Sequence, residues 1–175
     1  MIDRLRIEPM GLHHSTSLFH ALDHESIYDF IPNRKPIDAD EVTARIKRVM
    51  AGPGEEANEL WLNFVVLLDD EIIGRLEATI VNSWAEIAYL FDPTYSGKGY
   101  ATYATHWLID HIGRTCQVSE FWATTDPNNL KSINLLLRCG FTIDSLPEQG
   151  IRSYDEGDAV FRLRRSPDHS DNMTP

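Results

Sequence analysis

The stretch FDPTYSGKGYATYATHWLID, residues 91–110, constrains the chain more than any other part of it. An extended run ends at Asp92-Pro93, a tight turn follows at Gly97-Lys98-Gly99, and a helical pattern opens directly after it. Ala101, Ala104, Leu108 and Ile112 recur at three- and four-residue spacing, so one face of that helix is expected to be buried. A strand that feeds a glycine turn at a helix start makes an anion site. The first helical turn has N–H groups without partners and the positive end of the helix dipole, and glycines let a phosphate approach the backbone closely.

Two phosphate loops fail on residue identity. A Walker loop places Ser or Thr after Gly-Lys, and here Gly99 follows Lys98. A dinucleotide fingerprint needs a glycine where Thr102 stands. The segment SGKGYA instead resembles the acyl-CoA loop of the GNAT N-acetyltransferases, which reads Gln or Arg, two residues, Gly, one residue, then Gly or Ala. Gly99 and Ala101 fall on the last two anchors and Ser96 stands where the Gln or Arg would be. Further on, Asn129-Leu130-Lys131-Ser132 and Leu137-Arg138-Cys139-Gly140-Phe141 resemble the Asn-x-x-Ser…Gly-Phe segment of the branch with the ribosomal-protein and aminoglycoside acetyltransferases. Glu86-Ile87-Ala88-Tyr89 resembles that branch's fourth strand, and the similarity runs over residues 5–164.

The resemblance implies an α/β (α+β) fold: a single GNAT-like domain with a central mixed, mostly antiparallel twisted sheet of six to seven strands flanked by about four helices. It implies acetyl-CoA as co-substrate. The pantetheine arm would pair like a strand with Tyr89, Leu90 and Phe91, and the pyrophosphate would meet the N–H groups of Gly97, Lys98, Gly99, Tyr100 and Ala101. Asn129 matches the family's side-chain contact to the carrier, with a plain helix cap as the other reading, and Ser132 is a further carrier contact. The family often places a carboxylate where Glu86 stands, which makes Glu86 the first choice for a general base. Many relatives use a Tyr in the helix after the Asn to protonate the thiolate. The matching position is Leu136, so that acid is missing, and Ser132 or Tyr154 would have to replace it.

The remaining chain fits one domain over residues 1–164. Leu5 and Ile7 alternate with charged residues in a first strand, and residues 12–22 carry a helical pattern. His20 and His24 could share a metal on one helix face, but no further ligand is spaced to complete a site, so no metal is expected. Residues 27–36 read as an aromatic loop in which Tyr28, Phe30, Arg34 and Lys35 are candidate pocket walls; sealing of the core edge is the other reading for the aromatics. Asp38 and Glu41 form a capping box for a second helix, with Ile37 and Val42 as its staple and Val42, Ile46 and Val49 inward. Residues 61–91 read as an antiparallel meander with Gly74 at a bulge. Residues 120–125 form a strand parallel to the last strand of that meander. Asn129 opens a helix with Ile133, Leu136 and Leu137 inward, Gly140 ends it, and residues 142–164 form a hairpin. Residues 165–175 are almost without apolar content and are expected to be a disordered tail.

Composition limits the partners. The formal net charge of −11 disfavours nucleic acid and is compatible with a cationic substrate. No apolar run is long enough to span a membrane, and the charged start MIDRLRIEP points to the cytoplasm. The two cysteines, Cys116 and Cys139, read as free buried thiols. His106 and His111 are five apart and read as structural or exposed. The acceptor is expected to be a cationic small-molecule amine or a protein N-terminus, with Glu77 as a substrate contact or second base, in a monomer or homodimer. A non-catalytic acyl-CoA sensor and a nucleotide-binding domain are the competing readings.

Overall fold

The computed structural model describes residues 2–54 and 57–165. Strand β1 (Leu5–Pro9) leads through a 3-10 turn at Leu12–His14 into helix α1 (Ser15–Ala21). A second 3-10 turn, Glu25–Ile27, and a loop precede α2 (Ala39–Ala51). Then come β2 (Leu60–Leu68), β3 (Glu71–Val81), β4 (Trp84–Phe91), α3 (Tyr100–Thr115), β5 (Glu120–Thr125) and α4 (Leu130–Arg138). The last elements among the described residues are β6 (Thr142–Asp144) and β7 (Ala159–Arg164). The strands form one seven-stranded sheet in the order β1-β2-β3-β4-β5-β7-β6. Every neighbouring pair is antiparallel except β4 and β5, whose strand–helix–strand connection through α3 makes a parallel pair.

Alternation along the strands fixes the two faces. Leu76, Ala78 and Ile80 of β3, Ala85 and Ile87 of β4, and Phe121 and Ala123 of β5 pack with Ala104, Leu108 and Ile112 of α3 and Leu135 and Leu136 of α4. On the opposite face, Val65 and Leu67 of β2 and Ile72 of β3 pack with Leu18 and Ala21 of α1 and Val42 and Ile46 of α2. A third cluster, Trp122, Ile151 and Val160 with Trp84 and Tyr154 against it, lies where the loop between β6 and β7 crosses that second face. The sheet is therefore covered by α3 and α4 on one side, and by α1, α2 and this loop on the other.

The bulge lies beside Gly74: Val66 pairs with Gly74 and Leu67 with Ile72, leaving Ile73 as the extra residue. This turns both Ile73 and Leu76 toward the α3 side. Gly74 itself is opposite Phe91, and a Cβ there would sit 2.7 Å from the Leu90 carbonyl oxygen.

Several local expectations change. The first helix is shorter than 12–22, because its first turn is 3-10. Asp38 caps α2 by accepting from Glu41 N–H at 2.9 Å, but Glu41 reaches back to Ile37 N–H (2.7 Å), and Ile37 stays 73% exposed, so the staple does not form. In α4 the inward pair is Leu135 and Leu136, whereas Leu137 is 47% exposed. One residue of rotation on a short helix exchanges these neighbours. The helix ends as expected: Gly140 has φ 87°, and Gly140 and Phe141 N–H donate to Leu137 and Leu136 carbonyls at 3.1 Å, a Schellman motif. The expected tail falls, apart from Arg165, outside the described residues.

Candidate functional site

The central break in the sheet lies between β4 and β5. Their pairing begins at Trp84 with Glu120 and ends at Glu86 with Trp122. Beyond that row β4 follows β3 as far as Phe91, and β5 follows β7 as far as Thr125. The half-sheets diverge, and the edge of β4 at Tyr89, Leu90 and Phe91 pairs with no strand on that side among the described residues. A strand edge of this kind presents backbone groups to an extended partner. One side chain crosses toward α4: the Tyr89 and Ser132 hydroxyls are 2.9 Å apart. Burial pushes the Tyr89 phenol well above its ordinary value, with the Ser132 hydrogen bond opposing, so Tyr89 stays protonated.

The glycine turn stands at the wide end of this split. Asp92 orders the approach by accepting from the Thr94 N–H (2.8 Å) and hydroxyl (2.6 Å). Gly97 and Gly99 adopt φ 76° and 82°, left-handed conformations that favour glycine. The first helical bond of α3 is from Tyr103 N–H to Gly99 carbonyl. The N–H groups from Gly97 to Thr102 have no hydrogen-bond partner among the described residues. They form a run of donors at the positive end of a 16-residue helix. Lys98 extends its ammonium over the Tyr95 ring, 5.0 Å from the centroid. Tyr100 turns its ring into the core, so only its N–H faces the turn.

Asn129 caps α4 by accepting from Ser132 N–H at 3.1 Å, leaving its amide nitrogen without a partner among the described residues. The cap and the carrier contact are thus compatible. Leu136, which holds the place of the missing acid, is fully buried.

On the face carrying α1 and α2, a cavity of about 280 Å³ is lined by Trp61, Asn63, Glu77, Thr79, Glu86 and Ser153, among others. Glu86 is 6% exposed. Its Oε1 accepts from Ser153 N–H (2.8 Å) and its Oε2 from Arg152 N–H (3.0 Å), so it anchors the β6–β7 loop as well as lining the cavity. Glu77 bonds Arg45 at 2.8 Å and also pairs with Arg75. Burial alone would raise the Glu77 carboxyl, but the two guanidinium groups outweigh it and hold the group below its ordinary value.

A second cavity, about 420 Å³, adjoins along the sheet and is lined by Tyr28, Arg34, Arg45, Arg48, Arg75 and Leu90, among others. Tyr28 therefore reaches a pocket wall, its hydroxyl donating to the Leu22 carbonyl at 3.1 Å. Phe30 is 38% exposed and lines neither cavity. Lys35 is engaged by Asp23 and Glu25. Tyr154 packs with Trp122, Ile151 and Val160, so it and Ser132 lie on opposite faces of the sheet.

His20 is exposed and His24 meets Asp92 at 3.3 Å. Among the described residues, the group of potential metal ligands is instead Glu8, His13 and His14, whose ligand atoms lie within 4.8 Å of one another. Both ring nitrogens of His14 are already engaged, Nε2 by Glu8 (2.9 Å) and Nδ1 by Gly11 N–H (3.0 Å). His111 stacks on Trp107, and both cysteines are free. No helix among the described residues is long and apolar enough to cross a membrane.

Sequence reading missed three features. The Tyr89–Ser132 pair joins residues read for other roles. The loop that Glu86 anchors lies far along the chain. The arginines of the second cavity come from separate segments, although Arg45 and Arg48 at i, i+3 and a charged Arg75 within an apolar strand were visible signals.

A family model described as an acetyltransferase (GNAT) domain matches residues 4–142. The ribosomal-protein-serine acetyltransferase of Escherichia coli (strain K12) is 28% identical over 89 residues, 49% of this chain and 50% of that protein. The spermidine N(1)-acetyltransferase of the same strain is 30% identical over 84 residues, 46% of this chain and 45% of that protein. This chain spans about half the length of these curated relatives. Among solved structures, a ribosomal L7/L12 alpha-N-protein acetyltransferase in complex with coenzyme A aligns with TM-score 0.79 at 15% identity, covering 94% of this chain and 96% of that one. The aminoglycoside acetyltransferase AAC(6')-Ib in complex with coenzyme A aligns with TM-score 0.72 at 18% identity, covering 92% and 95%.

Proposed function

Because the chain belongs to the GNAT acetyltransferase family, we propose that it transfers an acetyl group from acetyl-CoA to a primary amine within one ternary complex. The observation that carries this reading is the run of N–H donors from Gly97 to Thr102 at the mouth of the β4/β5 split. The donors suit the carrier's pyrophosphate, with Asn129 and Ser132 beside its arm. The open edge at Tyr89, Leu90 and Phe91 suits the amide-bearing pantetheine, and an N–H there polarises the thioester carbonyl as charge develops on its oxygen.

The acceptor enters from the cavity that holds Glu86. The amine nitrogen attacks the carbonyl carbon, the C–S bond breaks, and the nitrogen gives up a proton as the amide forms. Glu86 takes that proton directly or through water, and Glu77 orients the amine. The departing thiolate takes a proton from Ser132, whose hydroxyl is hydrogen-bonded to Tyr89 and regains its proton from solvent; Tyr154, on the other face, is the weaker choice of acid. The acceptor is a small-molecule amine or a protein N-terminus, in keeping with the relatives, and the chain works in the cytoplasm as a monomer or homodimer.

Thiol release from acetyl-CoA in the presence of a panel of amines and N-terminal peptides tests this. Ser132→Ala is expected to lower kcat by about 10²-fold while CoA affinity changes far less. A second reading draws on Leu136 in the acid's place: an acyl-CoA sensor would bind the carrier and release no thiol with any amine.

A further inference from the structure

The second cavity gathers positive charge in a chain whose formal net charge is −11. Four guanidinium groups, those of Arg34, Arg45, Arg48 and Arg75, line it. Two carboxylates answer them. Glu41 is taken by Arg34 and by Ile37 N–H. Glu77 is shared between Arg45 and Arg75. Arg48 has no carboxylate partner among the described residues. Arg75 is only 6% exposed and projects from β3 beneath the cavity. Holding guanidinium groups together in a partly buried space costs electrostatic free energy that an anion offsets. Arginine forks match the planar geometry of a carboxylate or the tetrahedral oxygens of a phosphate.

The placement ties this charge to the reacting centre. Rows of the β3/β4 ladder run Thr79 with Glu86, Glu77 with Ala88, then Arg75 with Leu90. The first two rows floor the cavity that holds Glu86, and the third floors the arginine cavity. Adjacent same-face rows are about 7 Å apart. The Arg45–Glu77 bond stands between the two spaces.

We propose that the acceptor is an amine that also carries an anionic group, a carboxylate or phosphate, seated against Arg45, Arg48 and Arg75 while its amine faces Glu86. This rests on the acetyl-transfer reading above and narrows it to an acid-bearing amine. Glu77 then has a second role: it keeps Arg45 and Arg75 in place for the incoming anion.

The test uses matched small acceptors on protein saturated with CoA: 6-aminohexanoate, its carboxamide, hexane-1,6-diamine and 4-aminobutyl phosphate, with affinity read by calorimetry. The carboxylate or the phosphate is expected to bind about tenfold tighter than the carboxamide and the diamine, as one charge-assisted contact implies, and the two anions distinguish the source of the charge. Arg48→Gln, at a cavity-lining position of α2, is expected to shrink that ratio while CoA affinity stays unchanged. Equal binding of all four, tighter binding of the diamine, or binding of none overturns the proposal. Thiol release is measured separately with the same four acceptors and acetyl-CoA in place of CoA. Selective binding of the anionic amine without release would overturn acetyl transfer and leave the anion site standing. Release without selectivity would do the reverse.

Discussion

Glu77 shows how a single carboxylate can serve both structure and site. It is bound to Arg45 and Arg75, and the guanidinium groups hold it charged against the effect of burial. A carboxyl held below its unfolded value adds stability above that value, and the gain is lost as pH falls through the folded value. Glu77→Gln is therefore expected to destabilise the protein most at neutral pH. The gap to wild type should narrow as pH falls below about 4.3, the ordinary glutamate value. Denaturant midpoints at neutral and acid pH check this; a gap independent of pH would mean that the ion pairs contribute nothing. The same residue was legible in the sequence as a strand carboxylate near the site. Its pairing with Arg45 was not, because Arg45 lies on α2, 32 residues away in sequence.

At the scale of elements, the loop between β6 and β7 is held by Glu86 at Arg152 and Ser153, and by Thr124, whose hydroxyl lies 2.9 Å from that of Ser153. Glu86→Ala is expected to speed hydrogen exchange at the Arg152 and Ser153 amides while the α3 amides stay protected, because the bonds lost belong to the loop and not to the core. Unchanged exchange at those two amides would show that the loop is held by other means. Helix and strand positions were largely readable, since caps, Gly140 and the period of the apolar residues act locally. The α4 register was not, because on a helix of nine residues Leu135 and Leu137 compete for one inward position. The β4/β5 split was also invisible. A strand–helix–strand pattern gives the parallel pairing, but where the pairing stops depends on β3 and β7 pulling their partners apart.

The whole molecule carries a net negative charge, yet its two best-placed recognition spaces are locally positive: the donor run before α3 and the arginine cavity beside Glu77. Net charge summed along a sequence says nothing of which residues converge, and Arg34, Arg45, Arg48 and Arg75 meet only after α2 docks on β3. The negative surround also steers: it repels bulk anions, so an anion that binds must be paid for by specific contacts rather than by the general field. The order of the strands explains why both spaces adjoin one split, since β4 has its unpaired edge there and also contributes to the cavity floor. In the proposed function, this split and the turn at Gly97 to Thr102 hold CoA. Calorimetric titration of CoA, with ATP as the comparison, tests it most directly. One CoA per chain is expected, bound more tightly than ATP because the pantetheine arm would add its contacts along β4. No CoA binding, or ATP bound equally well, would contradict it.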